Sequence, residues 1–178
     1  SERVSALFAR YRLFTPKFVM YRNLNSFDLA EDVRLGPDIS VGVSLALKPL
    51  GSENTFYQPD FSASYVLDLA GDGFVRAASG ASTRIQDGEL IDNFSTSSLK
   101  IATPRIADAF RVVAKAERGL RLRERGNGRF RLGGANGLRG YLISEFTGQK
   151  QILTNLEVRS MPLRLLFARA GGLLFWDM

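Results

Sequence analysis

The densest chemistry in this 178-residue chain lies between Arg118 and Tyr141, where seven arginines are interleaved with glycines. A guanidinium is a planar fork that grips a carboxylate or a phosphate through two parallel hydrogen bonds. Glycine lets the backbone take positive φ and approach a neighbour closely. Such a segment can pair with carboxylates elsewhere in the chain or with phosphates outside it. Gly133-Gly134-Ala135-Asn136-Gly137 is not a phosphate loop, because it lacks the Gly-Lys-[Ser/Thr] ending and opens no obvious helix. Phe130 and Tyr141 interleave the arginines only sparsely, and no RNA- or DNA-binding motif accompanies them, so nucleic acid is not an expected partner. On the rim of a membrane barrel the same arginines would meet acidic headgroups or lipopolysaccharide phosphates.

Other reactive side chains are scarce. His and Cys are both absent, which excludes Cys/His zinc sites, disulfides and any Ser-His-Asp or Cys-His catalytic unit. No Asp/Glu cluster has ligand spacing, so neither a metal nor a cofactor is expected. The nearest approaches to paired carboxylates are Glu31-Asp32 and Asp87 with Glu89; both sit at turns and read as solvated charges rather than an acid/base pair. No enzymatic activity is expected of this chain.

The elements that must position the Arg-Gly segment are strands. Ile39–Leu47 places Ile39, Val41, Val43, Leu45 and Leu47 on one face and Ser, Gly, Ser and Ala on the other. Phe61, Ala63, Tyr65, Leu67 and Leu69 share a side opposite Ser62, Ser64 and Asp68, and Thr154, Leu156 and Val158 lie opposite Asn155, Glu157 and Arg159. This is the period of two that marks β-structure. Only residues 105–118 could be argued as helical, and they fit a strand equally well. Turn residues delimit roughly eight strands, near 12–22, 33–48, 60–70, 73–86, 93–103, 108–123, 150–160 and 163–177, with Asp72-Gly73 and Asp87-Gly88 suited to tight hairpins. Periodicity leaves two architectures open: a soluble antiparallel barrel or sandwich with one solvated face, and a sheet between lipid and water. No run of apolar residues is long enough for a membrane-spanning helix. The start at Ser1-Glu2-Arg3 and the stop at Phe175-Trp176-Asp177-Met178 lead us to expect an excerpt of a longer protein.

Here the motifs reach a known family. Gly133-Gly134 followed by Leu138-Arg139-Gly140-Tyr141 resembles the loop signature of the bacterial surface antigen superfamily, which holds the barrel-assembly insertase BamA, its TamA-like relatives and the two-partner-secretion translocators. Downstream, Asn155-x-Glu157-x-Arg159 resembles the family's next strand, Met161-Pro162 its short periplasmic turn, and Phe175-Trp176-Asp177 the start of its Phe-x-Asp-x-Gly strand. The good match covers residues 129–178; residues 1–128 agree in strand character only.

The resemblance implies that residues 1–178 are part of an outer-membrane β-barrel of about 16 strands. Periplasmic POTRA domains and the remaining strands would lie outside this chain, and a loop at 122–149 would fold into the lumen. It implies that Arg139 meets Asp177 and Glu157 on the barrel wall as a latch, with Leu138, Gly140 and Tyr141 completing the motif and Gly133, Gly134, Asn155, Arg159 and Phe175 supporting it. The implied location is the bacterial outer membrane. The implied work is insertion or translocation of polypeptides, with unfolded outer-membrane or secreted proteins, lipid and accessory assembly proteins as partners. A secretion pore, a barrel anchoring a fused hydrolase and a soluble β-barrel binding module are the alternatives. The net charge of +6 is unusual for a surface-exposed barrel, and strands outside this chain would carry the balancing acid.

Overall fold

The structure, a computed structural model, describes residues 2–22, 24 and 29–178. It is all-β and antiparallel. The strands are β1 (Ala6–Phe14), β2 (Lys17–Arg22), β3 (Ala30–Ala46), β4 (Phe56–Leu69), β5 (Gly73–Gln86), β6 (Glu89–Ala102), β7 (Phe110–Leu122), β8 (Phe130–Leu132), β9 (Phe146–Gly148), β10 (Lys150–Ser160), β11 (Leu163–Leu165), β12 (Ala168–Ala170) and β13 (Leu173–Asp177). One large sheet runs β1-β3-β4-β5-β6-β7-β10-β13, with β2 also on β3. The pairs β8–β9 and β11–β12 are separate small ribbons. The sheet is open: β1 and β13 are its ends and do not pair with each other. Among the described residues, the one helical turn is the 3-10 piece Lys48–Leu50.

The alternation in the sequence becomes two unlike faces. Cross-strand partners Tyr11 and Val41, Val41 and Phe61, Leu156 and Trp176, and Val158 and Leu174 lie side by side on one face. The exposed large apolar side chains of that face range from 37% at Ile39 to 75% at Ile152. On the other face Arg12 neighbours Ser40, Ser40 neighbours Ser62, Ser64 neighbours Ala78, and Asn155 neighbours both Lys115 and Asp177. A trough of about 590 Å³ touches Arg12 on β1, Ser40, Ser62, Ser98 and, on β10, Gln151. The sheet therefore curls around its polar face.

Buried apolar packing collects at one end of the trough. Tyr21, Leu24, Leu35, Val66, Phe74, Ala102 and Val113 form a cluster, with Val19 and Val33 against it. The chain after Thr15-Pro16 reaches this cluster by crossing the concave side, since β2 pairs with β3 while the Leu24 carbonyl accepts from Arg159 on β10. Tyr21 donates its hydroxyl to Asp68 and lies 5.7 Å from the Phe74 ring. Arg111 is fully buried here, 2.9 Å from the Asp72 carboxylate, and donates to the carbonyls of Asp72 and Arg22. These three acceptors offset part of the guanidinium's desolvation, its Nε finding no partner among the described residues, and removing one would strand charge.

Several expected boundaries move. The strand expected over 12–22 is two strands, β1 and β2, broken at Thr15-Pro16, where proline has no N–H to give the ladder. The strand expected over 163–177 is a hairpin, β11–β12, followed by β13. Residues 105–118, ambiguous in sequence, lead into and form β7. Asp87 (φ 54°) and Gly88 (φ 80°) make the two-residue turn between Gln86 and Glu89, as positive φ at both centres allows. The other hairpin is displaced by a residue: Gly71 (φ 80°) and Asp72 (φ 68°) take the left-handed positions, and Gly73 opens β5. Gly73 is required for closeness instead, because a Cβ there would stand 2.6 Å from the Pro104 nitrogen.

The opposite end is tied by the start of the chain. Arg84, on β5 beside a register shift, donates to both carboxylate oxygens of Glu2 at 2.6 and 2.7 Å and stacks on Phe56. Those hydrogen bonds, then the one from Asn54, pull the Glu2 pKa from 4.5 to about 2. A carboxylate whose folded pKa is depressed stabilises fully above its unfolded value and loses that contribution as pH falls through the folded one. Between about pH 4.5 and 2, wild type should therefore lose stability that Glu2→Gln does not lose. Unfolding midpoints measured across that window check this, and identical acid limbs would contradict it.

Candidate functional site

The loop between β7 and β10 lies on the concave face, and small residues let it get there. Phe130 of β8 packs over Gly119, where a Cβ would come within 2.5 Å of its ring. Phe130 also stacks on Phe94 at 5.9 Å, with the Arg121 guanidinium against both rings and bonded to Glu124 at 2.7 Å. The strands β8 and β9 pair through Arg131 and Thr147. Gly133 and Gly134 let the two arms of the loop close on each other. A Cβ on Gly133 would sit 2.1 Å from the Leu142 carbonyl oxygen, and one on Gly134 2.7 Å from that of Tyr141. Gly137 (φ 96°) packs on Leu153, and Gly140 (φ 91°) turns the tip with nothing near its missing side chain. Gly140 is thus needed for conformation, Gly133 for space.

This fold of the loop delivers Arg139 to the wall. Its Nε and Nη2 donate to the two oxygens of Asp177 at 2.8 and 2.6 Å, a bidentate fork, and its backbone N–H donates to the same carboxylate at 3.0 Å. Nη1 stands 2.7 Å from Glu157. The guanidinium also lies 3.9 Å from the centre of the Phe175 ring, a cation–π contact. Asp177 is the deepest member, its side chain 3% exposed, against 12% for Glu157 and 29% for Arg139. Hydrogen bonds to Asp177 first, and to Glu157 next, raise the Arg139 pKa above its already high value.

Register explains why the two acids converge. Asn155 faces Asp177 across β10 and β13, and Glu157 faces Phe175, so these four side chains share the concave face with Arg159 two positions on. Asn155 ties the group together: its amide donates to the Gly137 carbonyl at 2.6 Å and to Asp177 at 2.8 Å. Arg159 donates to Glu157 and to the Leu24 carbonyl, linking the site to the apolar cluster. Leu138 is buried, while Tyr141 is half-exposed and edge-on to Phe146 at 5.3 Å.

The structure thus brings Arg139, Glu157, Asp177, Asn155, Arg159 and Phe175 into one constellation. Gly133, Gly134 and Gly140 shape the loop behind it, and Tyr141 lies outside the ion pairs. Sequence reasoning missed the bridging role of Asn155, the Arg121–Glu124 pair inside the loop base, and the Arg111–Asp72 pair; period-two spacing assigns a residue to a face but says nothing of depth. The basic run is divided between surfaces, Arg118 beside Ile152 on the apolar face and Arg121 beside Phe94 on the polar one. Chemically the constellation can hold two segments together; it presents no paired carboxylates free for proton transfer, since both acids are engaged. Among the described residues no group of three or more Asp or Glu side chains could hold a metal ion. No family model, curated protein or solved structure matches this chain.

Proposed function

We propose that this chain is part of an outer-membrane β-barrel, of the kind found in the bacterial surface antigen superfamily, that helps insert or translocate polypeptides. The observation that carries the reading is the Arg139 clasp, which fixes the loop to the polar side of a sheet whose other side is mostly apolar and exposed. Soluble proteins rarely leave so continuous an apolar surface uncovered, and lipid is the solvent such a face fits. The spacing of the Gly-Gly and Leu-Arg-Gly-Tyr elements, with acids on the two strands they meet, supports the family. In this proposal the clasp keeps the lumen in shape while a client strand pairs with backbone at an edge of the sheet. The work is non-enzymatic.

A pore through which a secreted client passes is the second reading, favoured by the hydroxyl-lined trough bounded by Ser40, Ser62, Ser64 and Ser98. Depleting the full-length protein from its host separates the two. For an insertion factor, many folded outer-membrane proteins should fall together, and for a secretion pore one secreted client should be lost while the others persist. Unchanged levels of both would sink the proposal, and recovery of the full-length protein in aqueous extracts without detergent would favour a soluble module.

A further inference from the structure

The resemblance implied that Met161-Pro162 is a short turn, but a projecting ribbon follows it in the structure. β11 and β12 pair Leu163 with Ala170, Arg164 with Arg169 and Leu165 with Ala168. One side is therefore apolar and the other carries two arginines directly across from each other. At the tip Leu166 and Phe167 are fully exposed, at 101% and 98%. Leu163 and Leu165 are exposed as well, so the apolar side of the ribbon is largely uncovered among the described residues. From Ser160 to Trp176 the sequence holds no acidic residue. The ribbon thus carries net positive charge on one side, which an anionic surface would complement. The ribbon leads into Leu174 and Trp176, which are exposed on the apolar face of the main sheet.

We infer that the ribbon 161–172 is a membrane-surface wedge. Leu166 and Phe167 enter the boundary between headgroups and acyl chains, and Arg164 and Arg169 engage anionic phospholipid headgroups. Two features select this occupant: the cationic side complements an anionic surface, and the apolar tip is continuous with a face already suited to lipid. The inference rests on the reading that the apolar face meets lipid, and not on what the barrel does for its clients.

The chain has no cysteine, so Phe167→Cys and, separately, Leu156→Cys can each carry an environment-sensitive fluorophore. The full-length protein, with any other cysteine replaced, is reconstituted into vesicles of phosphatidylcholine alone or mixed with phosphatidylglycerol, each doped with a lipid-borne quencher. Position 156 reports whether the face is in lipid; position 167 reports the wedge. The expected result is quenching at 156 in both vesicles, and quenching at 167 that strengthens with phosphatidylglycerol. In Arg164→Gln or Arg169→Gln backgrounds, the ratio of docked to undocked ribbon should fall about fivefold per arginine in the anionic vesicles. Quenching at 156 without quenching at 167 overturns the wedge and spares the membrane reading. Quenching at 167 that ignores lipid charge overturns the role of the arginines. Protection of 167 from an aqueous quencher without lipid quenching means a protein covers it, and also overturns the wedge. No quenching at 156 overturns both readings together.

Discussion

Replacing Arg139 with alanine should free the loop while leaving the sheet folded. The substitution removes three side-chain contacts at 2.6–2.8 Å and leaves Asp177, whose side chain is 3% exposed, without a cationic partner, while Glu157 keeps Arg159. Breaking a fully desolvated pair this way costs about 3–5 kcal/mol. Arg139 keeps partial exposure, and Asp177 retains the Asn155 amide and the residue-139 backbone N–H, so about 2–3 kcal/mol is the better figure. Amides closed within the loop, Leu138 to Gly133 and Gly134 to Leu142, should then exchange about 30- to 150-fold faster. Amides of the β5–β6 pairing should not change. Arg139→Lys should fall between, because an ammonium keeps the charge and loses the fork. A cycle with Asp177→Asn isolates the pair, since the amide is isosteric and uncharged. Unaltered loop exchange in Arg139→Ala would remove the clasp from the account, and unaltered activity of the full-length variant would remove its functional role.

An arginine introduced on the apolar face should cost far more than one introduced in the trough. Leu156 stands mid-strand in β10, beside Ala114 and Trp176. In lipid, Leu156→Arg should lower folding stability by about 2–4 kcal/mol, the cost of a cation near the bilayer midplane. Ser62→Arg points into the polar trough and should cost less than about 1 kcal/mol. Folding into vesicles, followed by denaturant titration, gives both numbers. Equal costs, or a Leu156→Arg variant that folds well in water, would mean that the exposed apolar face does not meet acyl chains.

The strands were legible where a mostly apolar face alternates with a polar one between marked turns. Residues 73–86 and 150–160 fall within the same bounds in sequence and structure, and Asn155, Glu157 and Arg159 declare their common face through spacing alone. Most of β1 was hidden because Phe8 and Phe14 share the inward face with Arg10 and Arg12 and blur its period of two; the partners Asp60 and Asp38 across the sheet explain those cations. The ribbon at 161–172 merges with β13 in sequence because its tip, Leu166-Phe167, carries no turn residue; Gly171-Gly172 is the turn signal that separates the two. The meeting of Arg139 with both acids came from motif resemblance, whereas its depth and its tether through Asn155 depend on tertiary register.

Residues 17–22 and Leu24 make the two ends of the trough unequal. At one, Tyr21, Leu24 and the sealed Arg111 form a dry stopper fastened to Asp68, Asp72 and, through Arg159, to β10. In the proposed barrel, this packing would obstruct one end of the lumen for as long as the Tyr21–Asp68, Arg111–Asp72 and Arg159–Leu24 contacts all hold.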